Sequence, residues 1–262
     1  MKLDSSTVVV ITGASRGIGK EAAKLFAKKG CQVALLARDE NLLQSVQREI
    51  ESQGGKAMVF SCDVSKEADC FGAIQKVIQA WGKIDVLVNN AGYGHYSSIE
   101  NLDTNALEQI IKTNLFGAFW CTKAVIPPMK KQQRGHIVNI STVISKRAFP
   151  FMGAYCMSKF AMTGFDESLG LEVLPHGINV SLVCPGYTQT EFQKNAKTSG
   201  QRPNLRQQKG MQPYQVGEAI VRAVEKNKRR TILTFDGKIL LLLNKISPSF
   251  VDFFFQRYFS KI

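Results

Sequence analysis

No two of the three histidines, at 95, 136 and 176, stand at metal-ligand spacing, and the six cysteines (31, 62, 70, 121, 156 and 184) include no Cys-x-x-Cys pair. A metal site is therefore not expected, and scattered thiols in or beside apolar runs are expected to be buried, in a reducing compartment. No internal repeat of roughly 20–50 residues is present, and no low-complexity stretch or linker divides the chain. No apolar run approaches the length of about 20 residues that spans a bilayer. Polar residues lead directly into the first apolar run at Thr7, so no secretory leader is expected. Acidic residues are scarce towards the end. Residues 190–262 hold 14 Lys and Arg against 5 Asp and Glu, whereas residues 1–189 hold 20 against 16, within a net charge of +13. Such an excess suits an anionic membrane surface or an acidic partner. No nucleic-acid-binding motif accompanies it, so nucleic acid is not expected as a partner.

What the 262 residues do contain is an alternation of short apolar β-branched runs with helix-length segments. Residues 7–11, 33–37, 57–61, 84–88, 136–140, 178–183 and 231–235 read as seven buried strands, which predicts one α/β domain over 1–262 built on a doubly wound parallel sheet. The first strand runs into Thr12-Gly13-Ala14-Ser15-Arg16-Gly17-Ile18-Gly19, then a helical pattern through Ala22, Ala23, Leu25, Phe26 and Ala27. In that context Gly13 suits a tight turn, Gly17 a close approach of backbone to phosphate, and Gly19 close packing of helix on strand. A helix N-terminus then meets a pyrophosphate with free N–H groups and a favourable dipole. An ordinary glycine turn is the alternative.

Tyr155 and Lys159 stand four residues apart, one turn along a helical face. A phenol has an ordinary pKa of about 10, and a neighbouring ammonium favours its phenolate. Such a pair suits proton transfer to or from a carbonyl or alcohol oxygen.

Taken together, Thr12 to Gly19, Asn89-Asn90-Ala91-Gly92, Asn114, Tyr155 with Lys159, and Pro185-Gly186 with Thr190 resemble, in order and spacing, the short-chain dehydrogenase/reductase family over roughly residues 7–192. The resemblance implies a Rossmann-type, three-layer α/β/α fold and a nicotinamide dinucleotide held by Gly13, Ser15, Arg16, Ile18 and Gly19. It implies further cofactor contacts from Asp63 and Val64 at the adenine, from Asn90, Ala91 and Gly92, and from Pro185, Gly186, Thr188 and Thr190 around the nicotinamide. Tyr155 would pass the proton, Lys159 would bind the nicotinamide ribose and tune the tyrosine, and Asn114 would keep a water relay. A buried mid-helix asparagine is locally unfavourable and needs such a partner. The family's usual serine, thirteen residues before the tyrosine, is replaced by Thr142, with Ser141 adjacent. Threonine keeps the donor and acceptor but restricts χ1, and Ser141, on the opposite strand face, would substitute only through a bulge.

At the end of the second strand, Ala37 stands where an NAD-preferring enzyme carries a carboxylate, and Arg38 follows it. With Arg16 in the glycine turn, two guanidinium groups suit a 2′-phosphate, so NADP(H) is the expected cofactor. Asp39 reads as a solvated loop carboxylate, His95 as a surface-loop residue, and His136 and His176 as strand-edge and loop residues.

Residues 191–213 are polar and basic and suit a flap over substrate. From 236 to 262 the chain is expected to form a hydrophobic helical extension, with a helix start at Ser247-Pro248-Ser249 and six aromatics among residues 250–259. This ending resembles that of membrane-associated family members acting on steroids, retinoids and long-chain ketones. It fits the membrane interface, a subunit contact or a cap over the substrate mouth. The expected function is NADPH-dependent hydride transfer between nicotinamide and a lipophilic carbonyl or secondary alcohol, in a cytoplasmic homo-oligomer (dimer or tetramer) that is peripheral to a membrane if the extension meets lipid. A 3-oxoacyl-thioester reductase and a catalytically silent NADP(H)-binding sensor are the alternatives.

Overall fold

The computed structural model describes residues 1–199 and 210–259. The first half of the chain folds as β1 (Val8–Thr12), α1 (Gly17–Lys28), β2 (Gln32–Ala37), α2 (Glu40–Glu51), β3 (Lys56–Ser61), α3 (Glu67–Trp81), β4 (Val86–Asn89) and the two-residue β5 (His95–Tyr96). Then come α4 (Thr104–Ile111), a π-helical turn at Lys112–Phe116, α5 (Gly117–Gln132), β6 (Gly135–Ile140), α6 (Gly153–Val173) and β7 (Ile178–Cys184). The remainder is β8 (Lys197–Thr198), α7 (Pro213–Glu225), β9 (Arg230–Ile232), α8 (Phe235–Ile246) and α9 (Pro248–Phe259). Seven strands form one parallel sheet in the order β3-β2-β1-β4-β6-β7-β9, and β5 pairs with β8 apart from it.

Alternation along β1 shows why the sheet is covered on both faces. Val9 and Ile11 pack with Phe26, Leu43, Val216 and Ile220 under α1, α2 and α7. Val8 and Val10 pack with Ile74, Val77, Val125 and Met129 under α3 and α5. Side chains two apart share a face, so an unbroken apolar run supplies both cores. The strand order reverses between β1 and β4, and a crevice opens there at the carboxyl ends of the strands.

Two strand boundaries differ by more than one residue from the sequence expectation. β4 begins at Val86 rather than at 84, because Asp85 is buried and accepts the Val8 N–H at 2.8 Å. β9 ends at Ile232 because the Thr234 hydroxyl accepts the Gly237 N–H at 3.2 Å and caps α8. Pro248 at the first helical position starts α9, and the described part of the extension is helical over Phe235–Ile246 and Pro248–Phe259, as expected. Residues 200–209 of the proposed flap, with Arg202, Arg206 and Lys209, lie outside the described residues.

A polar chain crosses one face of the sheet. Asn89 donates to Thr122 at 3.0 Å and to Asn139 at 2.9 Å, and Asn139 donates to the fully buried Asp166 at 2.8 Å. Arg229, just before β9, closes an ion pair on Asp166 and also donates to its carbonyl at 2.6 Å. The network ties β4, β6 and β9 to α6. Removing the carboxylate leaves the buried Asn139 amide without its acceptor and Arg229 without its ion pair, so Asp166→Ala should cost about 2 kcal/mol, read as a lowered urea midpoint. A loss below about 0.5 kcal/mol, the size of an ordinary surface substitution, would show that the network does not hold α6.

Candidate active site

The glycine turn is shaped by contacts that leave no room for a side chain. Gly13 has φ of 66°, and a Cβ on Gly19 would lie 2.3 Å from the Gly13 carbonyl oxygen and 2.5 Å from Asn90 Nδ2. Gly17, at φ of 54°, faces only the Thr190 side chain. Asn90 Nδ2 donates to the carbonyls of Thr12 and Gly13 at 2.9 and 3.1 Å, which fixes the turn against the end of β4. This cradle fits a dinucleotide, since backbone is bare where phosphate would approach.

The turn opens into a cleft of about 970 Å³. Of the residues expected at the cofactor, Gly13, Ser15, Arg16, Ile18, Arg38, Asp63 and Val64 line it, as do Asn90, Ala91, Gly92, Pro185, Gly186, Thr188 and Thr190. Thr142, Tyr155 and Lys159 line the same cleft. Gly19 and Asn114 do not; they lie one layer behind, Gly19 against Gly13 and Asn114 against Gly92. Arg38 is exposed with no carboxylate partner among the described residues, whereas Arg16 pairs with Glu191 at 3.1 Å. Asp39 is no idle loop carboxylate. It caps α2 by accepting the Leu42 N–H at 3.1 Å, so one of its oxygens is committed to the helix.

Tyr155 and Lys159 are both buried on α6, and the Lys159 ammonium lies 5.8 Å from the Tyr155 ring centroid. Burial pushes the phenol well above its ordinary value, opposed by a hydrogen bond from the Thr142 hydroxyl. Lys159 donates to the Ile140 carbonyl at 2.8 Å, and burial lowers it to about 8. The expected lowering of the phenol by a neighbouring cation is thus outweighed here. Desolvation drives both groups toward their neutral forms, and the ammonium is docked on a carbonyl.

Thr142 is extended, at φ −164°, and its oxygen also accepts the Ile144 N–H at 3.5 Å. Ser141 is buried too, and its hydroxyl has no hydrogen-bond partner. Asn114 sits in the π turn, a common site of functional distortion. Its side chain accepts the Tyr93 N–H at 2.9 Å and donates to the Tyr93 carbonyl at 3.0 Å and to Ser158 at 3.2 Å. Protein groups therefore satisfy this amide, and the water relay expected as its partner is not needed for that.

Several lining residues belong to no sequence motif. Tyr93, Tyr96, Phe149 and Phe192, with Met152, give the cleft a largely aromatic wall, and the Phe192 ring meets Tyr155 edge-on at 5.6 Å. Gly237 and Leu240 of α8 line it as well, so the C-terminal extension reaches the cleft. Arg147 holds that extension, donating to Asn244 at 3.1 Å, pairing with Asp252 and stacking on Phe255. The only sequence signal for the wall was the aromatic enrichment flanking Gly92 and Gly153. His95, expected on the surface, is instead buried in β5, where Ser199 meets its Nε2 at 3.2 Å, because β8 covers it. His136 is likewise buried, within β6, 2.7 Å from the Ser181 hydroxyl. All six cysteines are free and buried, and no cluster of metal-ligating side chains occurs among the described residues.

A family model described as short chain dehydrogenase matches residues 7–200. The chain is 33% identical over 238 residues to dehydrogenase/reductase SDR family member 7B of Bos taurus, covering 87% of this chain and 73% of that protein. An alcohol dehydrogenase from Thermococcus sibiricus, solved with 5-hydroxy-NADP, superposes with a TM-score of 0.77 at 29% identity, covering 87% of this chain and 95% of that one. A short chain dehydrogenase/reductase from Burkholderia phymatum, solved with NAD, shares the fold with a TM-score of 0.86 at 22% identity, covering 95% and 96%.

Two measurements test the geometry. Thr142→Ser should keep or raise turnover and Thr142→Ala should lower it by about 100-fold or more; a large loss in Ser141→Ala alone would move the hydroxyl role to Ser141. An unfolded lysine holds its proton to a pH of about 10, whereas Lys159 releases it near 8. The unfolded chain therefore binds more protons between those values, and the cost of burying Lys159 fades as pH rises through them. Wild type should gain stability relative to Lys159→Met between pH values of about 7 and 10, read from paired urea midpoints. A constant difference would show that Lys159 is not depressed.

Proposed function

The chain belongs to the short-chain dehydrogenase/reductase family, an NAD(P)-dependent oxidoreductase family, and on that premise we propose that it reduces a lipophilic carbonyl with NADPH or oxidises the corresponding secondary alcohol. The observation that carries the reading is the continuity of one cleft. It runs from the glycine cradle, past the Thr142–Tyr155–Lys159 group, to a wall of Tyr93, Tyr96, Phe149, Met152 and Phe192.

When bound, the nicotinamide supplies or accepts the hydride at the carbonyl carbon. Thr142 holds the carbonyl oxygen by hydrogen bond, and Tyr155 delivers the proton to it. Because burial raises the phenol, Tyr155 enters the reduction protonated, the form that a donor requires. Lys159 binds the nicotinamide ribose and supplies the nearby positive charge that steadies Tyr155 as it gives up its proton. Asn114 acts by position, clamping Tyr93 to Ser158 on α6. The apolar wall favours a lipophilic ketone over a charged acyl carrier, and Lys197 of the basic flap already lies over the Tyr93 ring at 5.2 Å.

Support for NADPH over NADH comes from Ala37 at the end of β2 and the unpaired, exposed Arg38 beside it. Exposed Phe119 and Phe160 on α5 and α6 support a homo-oligomer, and six reduced thiols support a cytoplasmic setting. Among the described residues no helix is long and apolar enough to cross a membrane.

Turnover on a panel of diketones, steroid ketones, retinal and 3-oxoacyl thioesters tests the reading. NADPH should be oxidised in preference to NADH. Placing a carboxylate at the end of β2 with Ala37→Asp should weaken NADPH binding by about 10- to 100-fold and spare NADH. Tight NADPH binding without turnover on any carbonyl would leave a sensor in place of an enzyme.

A further inference from the structure

The C-terminal hairpin wears its apolar residues on the outside. On α8, Gly237 is buried and Leu240, Leu241 and Asn244 are half-buried, while Phe235, Ile239, Leu242, Leu243 and Ile246 are exposed. The exposed set recurs at intervals of three and four, the spacing of one helix face. α9 repeats the arrangement, with Val251 buried and Phe250, Phe253 and Phe254 exposed. Ile246 and Phe235 are 72% and 77% accessible, so this is bare surface. Eight large apolar side chains gathered on two adjacent helices differ from the scattered apolar residues of any protein surface.

The charges around the stripe identify what covers it. Lys238 and Lys245, seven residues apart and on one face, are exposed beside it and have no carboxylate partner among the described residues. Asp252 is held by Arg147, which leaves Asp236 as the one acidic group of the hairpin without an ion pair. Arg257 is exposed within the aromatic cluster, three and four residues from Phe254 and Phe253. Lysine is depleted at protein interfaces, and a two-fold contact through this stripe would bring two copies of its basic rim together. A lipid headgroup layer accepts both features. Long basic side chains lay their stems on apolar surface with the charge among phosphates. Each helix has 12 residues, about 18 Å of helix, too short for a bilayer core of about 30 Å, so the hairpin lies in the plane of the surface.

We propose that the outer face of the α8–α9 hairpin docks on an anionic lipid surface and places the cleft mouth there. The same α8 supplies Gly237 and Leu240 to the cleft, and Phe149 of the cleft wall stacks on Phe255 of α9 at 4.8 Å. A lipophilic ketone would then pass from lipid to the site without crossing water. That delivery step rests on the oxidoreductase reading above; the docking itself does not.

Flotation of the full chain, loaded with NADPH, tests it against phosphatidylcholine vesicles with and without phosphatidylserine, with no substrate present. The protein should float with the phosphatidylserine vesicles, less so at high salt, and scarcely with phosphatidylcholine alone. Leu242→Asp with Ile246→Asp should weaken binding by at least about tenfold, while NADPH fluorescence reports an intact cleft. Lys238→Glu with Lys245→Glu should remove the preference for phosphatidylserine. Wild type that ignores both vesicles, or aspartate variants that float as wild type does, would overturn the proposal. So would wild type that fails to float while the aspartate variants change its oligomeric state, which would make the face a contact between copies. Flotation without turnover sinks the enzyme reading alone, and turnover without flotation sinks the docking alone.

Discussion

The Thr12 side chain ties the ends of β1 and β4 together at the point where the sheet order reverses, and the site depends on that tie. Its hydroxyl bonds the Val88 carbonyl at 3.3 Å and accepts the N–H groups of Asn90 and Ala91 at 3.0 and 3.1 Å. Asn90 returns two bonds to the carbonyls of Thr12 and Gly13. Two strand ends that would otherwise part at the crevice are thereby locked in register. The glycine turn can hold a left-handed residue at Gly13 and press Gly19 against it without collapsing, because every polar group of the turn named here has a partner. The remaining cofactor-facing segments follow the strands and open from the same edge.

Desolvation dominates the electrostatics of the site. Tyr155 and Lys159 are both buried, and burial drives each toward its neutral form. Lys159, lowered to about 8, still carries its proton at neutral pH but holds it less tightly than an exposed lysine, while Tyr155 is held as the neutral phenol. The pair keeps its geometry because α6 is gripped twice. Asn114 bonds Ser158, one turn along from Tyr155, and Asp166 with Arg229 holds the helix further on. The unpartnered Ser141 hydroxyl, buried beside Thr142, is the one polar group of this strand end that the fold leaves without a bond.

Arg147 couples the loop after β6 to the C-terminal hairpin. Its guanidinium reaches Asn244 on α8 and Asp252 and Phe255 on α9, so the loop after β6 and the outermost helices form one packed unit. With Phe149 against Phe255, a displacement of the hairpin has a direct path to the cleft wall. The hairpin is therefore part of the cleft lining and not an appendage to it.

The sequence alone determined the parallel α/β sheet, since uninterrupted β-branched runs bury on both faces whatever their neighbours. It also determined the glycine turn, and the residues that would gather around it, because backbone clearance at Gly13 and Gly19 is a local demand that only glycine meets. It determined the helical end as well, through Ser247-Pro248. Long-range contact decided the rest. Whether residues 231–235 stay strand depended on the Thr234 cap, and whether His95 is exposed depended on β8 arriving from a hundred residues away. The partner of Asn114 depended on the path of Tyr93, and the sign of the Tyr155 shift depended on how much water the folded sheet excludes. The apolar wall of the cleft was illegible because Tyr93, Phe149, Phe192 and Leu240 come from separate segments with no shared spacing. Periodicity and motif report what a stretch of chain can do by itself, whereas burial and partnership are properties of surfaces that exist only after the chain has closed on them.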